Sequence, residues 1–229
     1  MPRPYIICHM MSSVDGRIDC GMTAQLAGND VYYDSLAALD APTRVSGRVT
    51  AQDEMASGVF DGDKTPIGHP CHSAVPANAA ENGGAYEVIM DTHGTLLWNG
   101  AHSGDRHLLI AMSGQAPQAY ADYLDSKGIA WIAAGTDSID LAQVCSILAT
   151  DFGVERMAVV GGAHINGGFL KAGLLDEISV VIGPGIDGRE GMPGVFDGLA
   201  PNAPVTHLKL ISCEPSSESG AVWLRYKTL

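Results

Sequence analysis

Three short segments hold residue types that bind anions or exchange protons. The first is Met11-Ser12-Ser13-Val14-Asp15-Gly16-Arg17-Ile18, directly behind an apolar run. If that run is a strand of a parallel sheet, Ser12, Ser13, Asp15 and Arg17 stand at its carboxyl end, where α/β sheets bind ligands. Asp15 can accept hydrogen bonds from substrate hydroxyls or amines, and Arg17 can meet a phosphate. A plain Asp-Gly turn accounts for the same residues.

The second segment is Val45-Ser46-Gly47-Arg48-Val49-Thr50, a strand end, a turn and a helix start. Arg48 there can grip a phosphate bidentately, and the Thr50 hydroxyl can cap a helix or touch a ligand. The third is Val160-Gly161-Gly162-Ala163-His164-Ile165-Asn166. Two glycines let the backbone turn sharply toward an anion that faces the first N–H groups of the next helix. It is not the G-x-G-x-x-G fingerprint, because Gly167-Gly168 come too late. Gly173-Leu174-Leu175-Asp176-Glu177-Ile178, leading to Gly183-Pro184-Gly185, reads as helix stop, strand start and loop.

The elements that must position these segments follow from periodicity. Tyr5–Met11, Arg44–Ser46, Tyr86–Met90, Leu108–Met112, Ala130–Ala133, Met157–Val160 and Ile178–Ile182 are short apolar runs suited to buried strands. Between them Val31–Leu39, Ala116–Lys127, Asp140–Phe152 and His164–Ala172 read as helices, with Gly128 and Gly153 as stops. In Asp140–Phe152 the apolar Leu141, Val144, Cys145 and Leu148 recur at helical spacing. This alternation predicts an α/β fold of three layers, a central mostly parallel sheet with helices on both faces. His207–Glu214 and Ala221–Lys227 flank Pro215–Gly220 and predict a C-terminal antiparallel β-hairpin. Ser12–Gly28 reads as a loop, and Asp61–Gly84 as an irregular segment, either a flap over the site or an insertion. With no internal repeat or linker, a single domain over 1–229 is expected.

Composition removes other classes of function. A net charge of −13, from 26 acidic and 13 basic residues, opposes nucleic acid and anionic membranes. No run reaches the ~20 apolar residues of a membrane span, and the N-terminal run has no cleavage site for a signal peptide, so a cytoplasmic location is expected. The five cysteines are widely spaced without a C-x-x-C, which argues against disulfides and zinc. His69-Pro70-Cys71-His72 is a local group of metal-ligand types, read as a solvated loop, and no metal is expected.

Taken in order, these segments resemble the reductase domain of riboflavin biosynthesis, a branch of the dihydrofolate-reductase-like superfamily. The resemblance rests on S-x-D-G (Ser13 to Gly16), G-R-x-T (Gly47 to Thr50), V-G-G leading to an Asn-containing helix, G-L-L-D-E-I followed by a strand and G-P, and a terminal W-L-R-Y (Trp223 to Tyr226). It covers Pro4 to Tyr226. It implies NADPH held by Gly47, Arg48, Val49 and Thr50 and by Val160, Gly161, Gly162, His164, Ile165 and Asn166. It implies a pyrimidine- or pterin-type substrate, such as a ribosylaminopyrimidine 5′-phosphate, near Ser12, Ser13, Asp15 and Arg17. It further implies a homodimer. Proton supply is then expected from Asp15 or a water it orients, or else from His9, the side chain that titrates near neutrality. Two positions depart from the family pattern: His9 stands where Lys is common, and Val160 where Glu is common before the glycine pair. The zinc signature of the associated deaminase domain is absent from this sequence. An enzyme acting on another heterocycle, or an NADP-binding protein without turnover, fits the same motifs.

Overall fold

The computed structural model describes residues 2–76 and 85–229. The chain opens with β1 (Tyr5–Ser12), α1 (Cys20–Thr23), α2 (Asn29–Ala38), β2 (Thr43–Gly47), α3 (Arg48–Glu54), β3 (Gly58–Val59) and β4 (Cys71–His72). It continues through β5 (Tyr86–Met90), β6 (Leu96–Leu97), β7 (His102–Ser103), β8 (Arg106–Met112), α4 (Gln118–Ser126), β9 (Ala130–Ala133) and α5 (Leu141–Thr150). It closes with β10 (Arg156–Val159), α6 (Ala163–Lys171), β11 (Glu177–Ile182), β12 (Leu208–Pro215) and β13 (Val222–Thr228). Two compact units result. The first is Met1–Pro4 with Pro42–Met157, and the second is Tyr5–Ala41 with Ala158–Leu229.

In the first unit β2, β5, β8 and β9 run parallel, with Ser46 beside Ile89 and Ile89 beside Ile110. Leu108, Leu109, Ile110, Ala111 and Met112 are all buried, as a continuous apolar run must be when both faces of a parallel strand are covered. Tyr120, Ala121 and Leu124 of α4 join Ala51 of α3 against Ile89, Ile110 and Met112. The stop signals are where the sequence put them: Gly128 and Gly153 have φ of 67° and 69°, which an L side chain resists. The Asp140 carboxylate caps α5 by accepting from Gln143 N at 3.0 Å. The stretch predicted to be irregular, Asp61–Gly84, is partly ordered: Cys71 and His72 pair antiparallel with Ala133 and Ile132. Its residues 77–84 lie outside the described ones.

In the second unit β1 runs parallel to β11, from Ile7 beside Glu177 to Ser12 beside Ile182. β13 lies antiparallel to β11, and β12 antiparallel to β13 with a bulge between Leu210 and Ser212. The predicted hairpin is therefore present, closed by Ser216 N donating to Ala221 O at 2.8 Å. Ile7 packs with Leu36, Leu39 and Ala158 beneath α2. The loop predicted for Ser12–Gly28 is interrupted by the single turn α1. Among the described residues no helix is long and apolar enough to cross a membrane.

Candidate active site

The parallel register of β1 and β11 ends with Ser12 beside Ile182, so the loops that leave these two strands lie side by side. The first loop is a tight turn: Gly16, at φ 79°, donates its N–H to Ser13 O, and Ser13 N donates to Arg17 O. The Ser13 hydroxyl accepts from Arg17 N and donates to Asp15 Oδ1 at 2.6 Å. From the second loop, Asp187 N donates to Asp15 Oδ1 at 3.0 Å and Gly188 N to Oδ2 at 2.9 Å. Arg189 bonds both Asp187 and, at 2.7 Å, Asp19. The Ser13 hydroxyl, then the two backbone amides, hold the exposed Asp15 carboxyl well below the usual carboxylate range.

A carboxylate that accepts from donors on both of its oxygens ties the two loops together. Arg17 is likewise committed in part, since its Nη1 donates to Met192 O at 2.6 Å. Ser12 and Ser13 are buried.

His9 lies on β1. It is 0% exposed, stacked on Tyr32 with ring centroids 4.6 Å apart. Its Nε2 meets Tyr32 O at 3.1 Å, and its Nδ1 meets Ser179 Oγ at 2.9 Å. A carbonyl can only accept, so Nε2 donates to it. Ser179 Oγ in turn accepts from Trp223 Nε1 at 2.8 Å. His9 thus belongs to a buried polar network under α2.

The glycine pair turns the chain sharply into a helix. Gly162, at φ 89° and ψ 113°, precedes α6, and no side chain caps the helix. The first N–H groups of a helix have no intrahelical acceptor and carry the positive end of its dipole, so the start of α6 suits an anion. His164 is exposed and Ile165 half-buried, while Val160 packs against the cluster around Ile7. Asn166 points elsewhere: it is 0% exposed, its Nδ2 donates to Val195 O at 2.8 Å, and its Oδ1 has no partner.

Motif reading passed over the segment that follows β11. Its residues 192–198 join the loop after β1 to α6. Ile18 N donates to Pro193 O at 3.2 Å and Asp197 N to Ala163 O at 3.1 Å, and Arg17 forms a bridge with Gly194. The sequence reading stopped at Gly183-Pro184-Gly185, taken as the loop after the strand.

The remaining predicted residues belong to the first unit. Gly47 is buried and extended (φ −90°, ψ 164°) at the entry to α3. Arg48 and Val49 are exposed, and Thr50 is half-buried. Arg48 Nη1 bonds Gln52 Oε1 at 2.6 Å at the surface, so little binds the guanidinium in place. Beside it is a residue the motif reading left out: Ser46 Oγ is buried without a hydrogen-bond partner. A cavity of about 240 Å³ in this unit, lined by Met55, Trp98, Asn99 and Ser103 among others, involves none of the predicted residues. Among the described residues no group of three or more His, Cys, Asp or Glu could hold a metal ion, and His72 pairs instead with Asp151 at 3.5 Å.

A family model described as the RibD C-terminal domain matches residues 4–220. The riboflavin biosynthesis protein RibD of Bacillus amyloliquefaciens is 36% identical over 77 residues, which are 34% of this chain and 20% of that protein. The 2,5-diamino-6-ribosylamino-4(3H)-pyrimidinone 5′-phosphate reductase of Methanothermobacter thermautotrophicus is 26% identical over 200 residues, 86% of this chain and 85% of that one. The match thus spans a fifth of the first relative and most of the second. A solved pyrimidine reductase-like protein from Corynebacterium diphtheriae superposes with a TM-score of 0.71 at 18% identity, over 99% of this chain and 92% of its own. RibD of Acinetobacter baumannii gives 0.67 at 18% identity over 99% of this chain and 58% of its own. At such identities the likeness establishes the fold. That fold is three-layer α/β, with a large, mostly parallel mixed sheet and a C-terminal antiparallel pair, as the alternation of segments predicted.

Proposed function

The chain belongs to the RibD C-terminal domain family, and on that premise we propose that it is an NADPH-dependent reductase of a ribosylaminopyrimidine 5′-phosphate. The observation that carries this reading is the uncapped start of α6 behind Gly161-Gly162, joined through residues 192–198 to the loop that holds Asp15. The residues present fit a phosphorylated dinucleotide. In the second unit, the N–H groups of Ala163, His164 and Ile165 suit a diphosphate; in the first, taken by itself, the exposed Arg48, behind Gly47 and ahead of Val49 and Thr50, suits a phosphate. The buried Ser46 hydroxyl has no partner among the described residues, and a ligand hydroxyl or a water would satisfy it.

A reduced nicotinamide, when bound, supplies hydride to a carbon–nitrogen double bond or ring-opened sugar imine of the substrate. The chain's own part is placement and charge. Asp15 holds the two loops at the ends of β1 and β11 in register, and Arg17 steadies the next segment through Met192 O. With Asp15 ionised by its hydrogen bonds and His9 enclosed under α2, the proton that accompanies the hydride comes from water. The exposed apolar side chains Leu208, Leu210 and Ile211 on the edge strand β12 support a homodimer.

The test is direct. Purified protein is titrated with NADPH and NADH by fluorescence, then supplied with 2,5-diamino-6-ribosylamino-4(3H)-pyrimidinone 5′-phosphate while reduced-nicotinamide absorbance is followed. NADPH oxidation that depends on the pyrimidine is expected. Binding without turnover would point to a ligand-binding protein, and no binding of either dinucleotide would overturn the reading altogether.

A further inference from the structure

Residues 185–198 form a strap fastened at both ends of the second unit's site. At its start, Val14 N donates to Gly185 O at 2.8 Å, and Asp187 N and Gly188 N close on the Asp15 carboxylate. At its middle, Arg17 Nη1 and Ile18 N hold the Met192 and Pro193 carbonyls. At its end, Asn166 Nδ2 grips Val195 O, and Asp197 N returns to Ala163 O. Gly194 N also donates to Asp197 Oδ2 at 3.2 Å, which folds the end of the strap on itself.

Two features mark these fastenings as more than loop packing. The Asn166 amide is fully buried with its oxygen unpartnered, so its one gain is the grip on Val195. Turning the amide over would set oxygen against oxygen, so its orientation is determined. Asp15 is exposed, yet its carboxylate is directed to the strap's backbone amides.

We propose that Asp15 and Asn166 are positioning residues that hold this strap between the loop after β1 and helix α6, so that dinucleotide binding at α6 and pyrimidine binding at Ser13–Arg17 are coupled through it. The proposal rests on the functional reading above. Coupling here means that a ligand at one site favours the placement of the strap that the other ligand also needs, an effect that must be reciprocal.

The experiment uses the full chain and the non-reacting pair of NADP⁺ and the pyrimidine phosphate. In the unaltered protein, saturating pyrimidine phosphate should tighten NADP⁺ binding by about fivefold or more, the low end of ordinary couplings. Asp15→Asn places an amide group against two backbone donors, and Asn166→Leu removes the grip on Val195. Each should bring the coupling close to onefold while changing the affinity for NADP⁺ alone much less. Retained coupling, or a loss confined to NADP⁺ affinity, would overturn the proposal. If the unaltered protein binds no NADP⁺, the functional reading has failed and the strap is tested separately by amide hydrogen exchange. There, Asp15→Asn should speed exchange at the distant Asp197 as well as at Gly188. Acceleration confined to Gly188 would overturn the strap. Asp15 lies at the surface, so this variant folds and decides the question even if Asn166→Leu does not.

Discussion

The carbonyl oxygen of Asp197 occupies the place that a β-carbon on Gly167 would take, so the strap rests directly on the backbone of α6. The contact explains a glycine inside a helix, where alanine would otherwise be favoured by up to about 1 kcal/mol. Gly167→Ala must displace Asp197, whose own N–H is tied to Ala163 O. Overpacking of this kind costs about 1–3 kcal/mol, and at this chain length roughly 2–4 °C of Tm is lost per kcal/mol. A thermal melt should show that drop, and a Tm equal to or above the parent's would contradict the close approach.

Arg48 tests the cofactor side independently. Its guanidinium is exposed and, among the described residues, bonds Gln52. If it binds the phosphate that distinguishes NADPH from NADH, Arg48→Ala should weaken NADPH binding by about 10- to 100-fold, the equivalent of about 1.5–3 kcal/mol for a charge-assisted hydrogen bond. Binding of NADH should hardly change. An unaltered preference between the two dinucleotides would remove Arg48 from the site.

His9 separates a structural role from a chemical one. Its ring nitrogens bond Tyr32 O and Ser179 Oγ, and Ser179 Oγ also accepts from Trp223 Nε1. Lysine would bring a buried charge with three donors into this network. His9→Lys should therefore unfold at clearly lower denaturant than the parent, and His9→Ala should lose about 2–4 kcal/mol, within the range of large core truncations. What activity remains in folded His9→Ala should show the parental pH profile. A lost acidic or basic limb would return His9 to proton transfer.

The Asp15 clamp carries a pH signature. Its carboxyl is held below the usual range by hydrogen bonds to the ionised form. A lowered carboxyl contributes its stabilisation above the unfolded pKa, about 3.9, and loses it only as pH falls through the lower folded value. The amide proton shifts of Asp187 and Gly188 should consequently stay constant from pH 7 down to about pH 4 and move only in stronger acid. Movement centred between pH 5 and pH 7 would mean that the carboxylate is not clamped.

How far sequence alone reached is clear from individual segments. Leu108–Met112 could be read as a strand because an unbroken apolar run admits little else between two turns, and Asp140 and Gly153 bracketed α5 because caps and left-handed stops are local chemistry. Gly161-Gly162 announced a sharp entry to a helix for the same reason. The edge strand at Cys71–His72 escaped notice, since two residues carry no period and their pairing with β9 comes from more than 50 residues away.

For the site itself, the residue types were legible but their directions were not. Asp15 was visible as a carboxylate at a strand end. That it is spent on Asp187 and Gly188 depends on the register of β1 against β11, which brings together positions 172 and 173 apart in the chain. His9 was visible as a titratable group in a strand. Its confinement under α2 depends on which face of β1 that helix covers, a matter of packing that a single strand's sequence leaves open. Local conformational preferences, set by each residue and its neighbours, are thus written in the chain in order. The partners of a charged or hydrogen-bonding group are decided only when distant strands come into register.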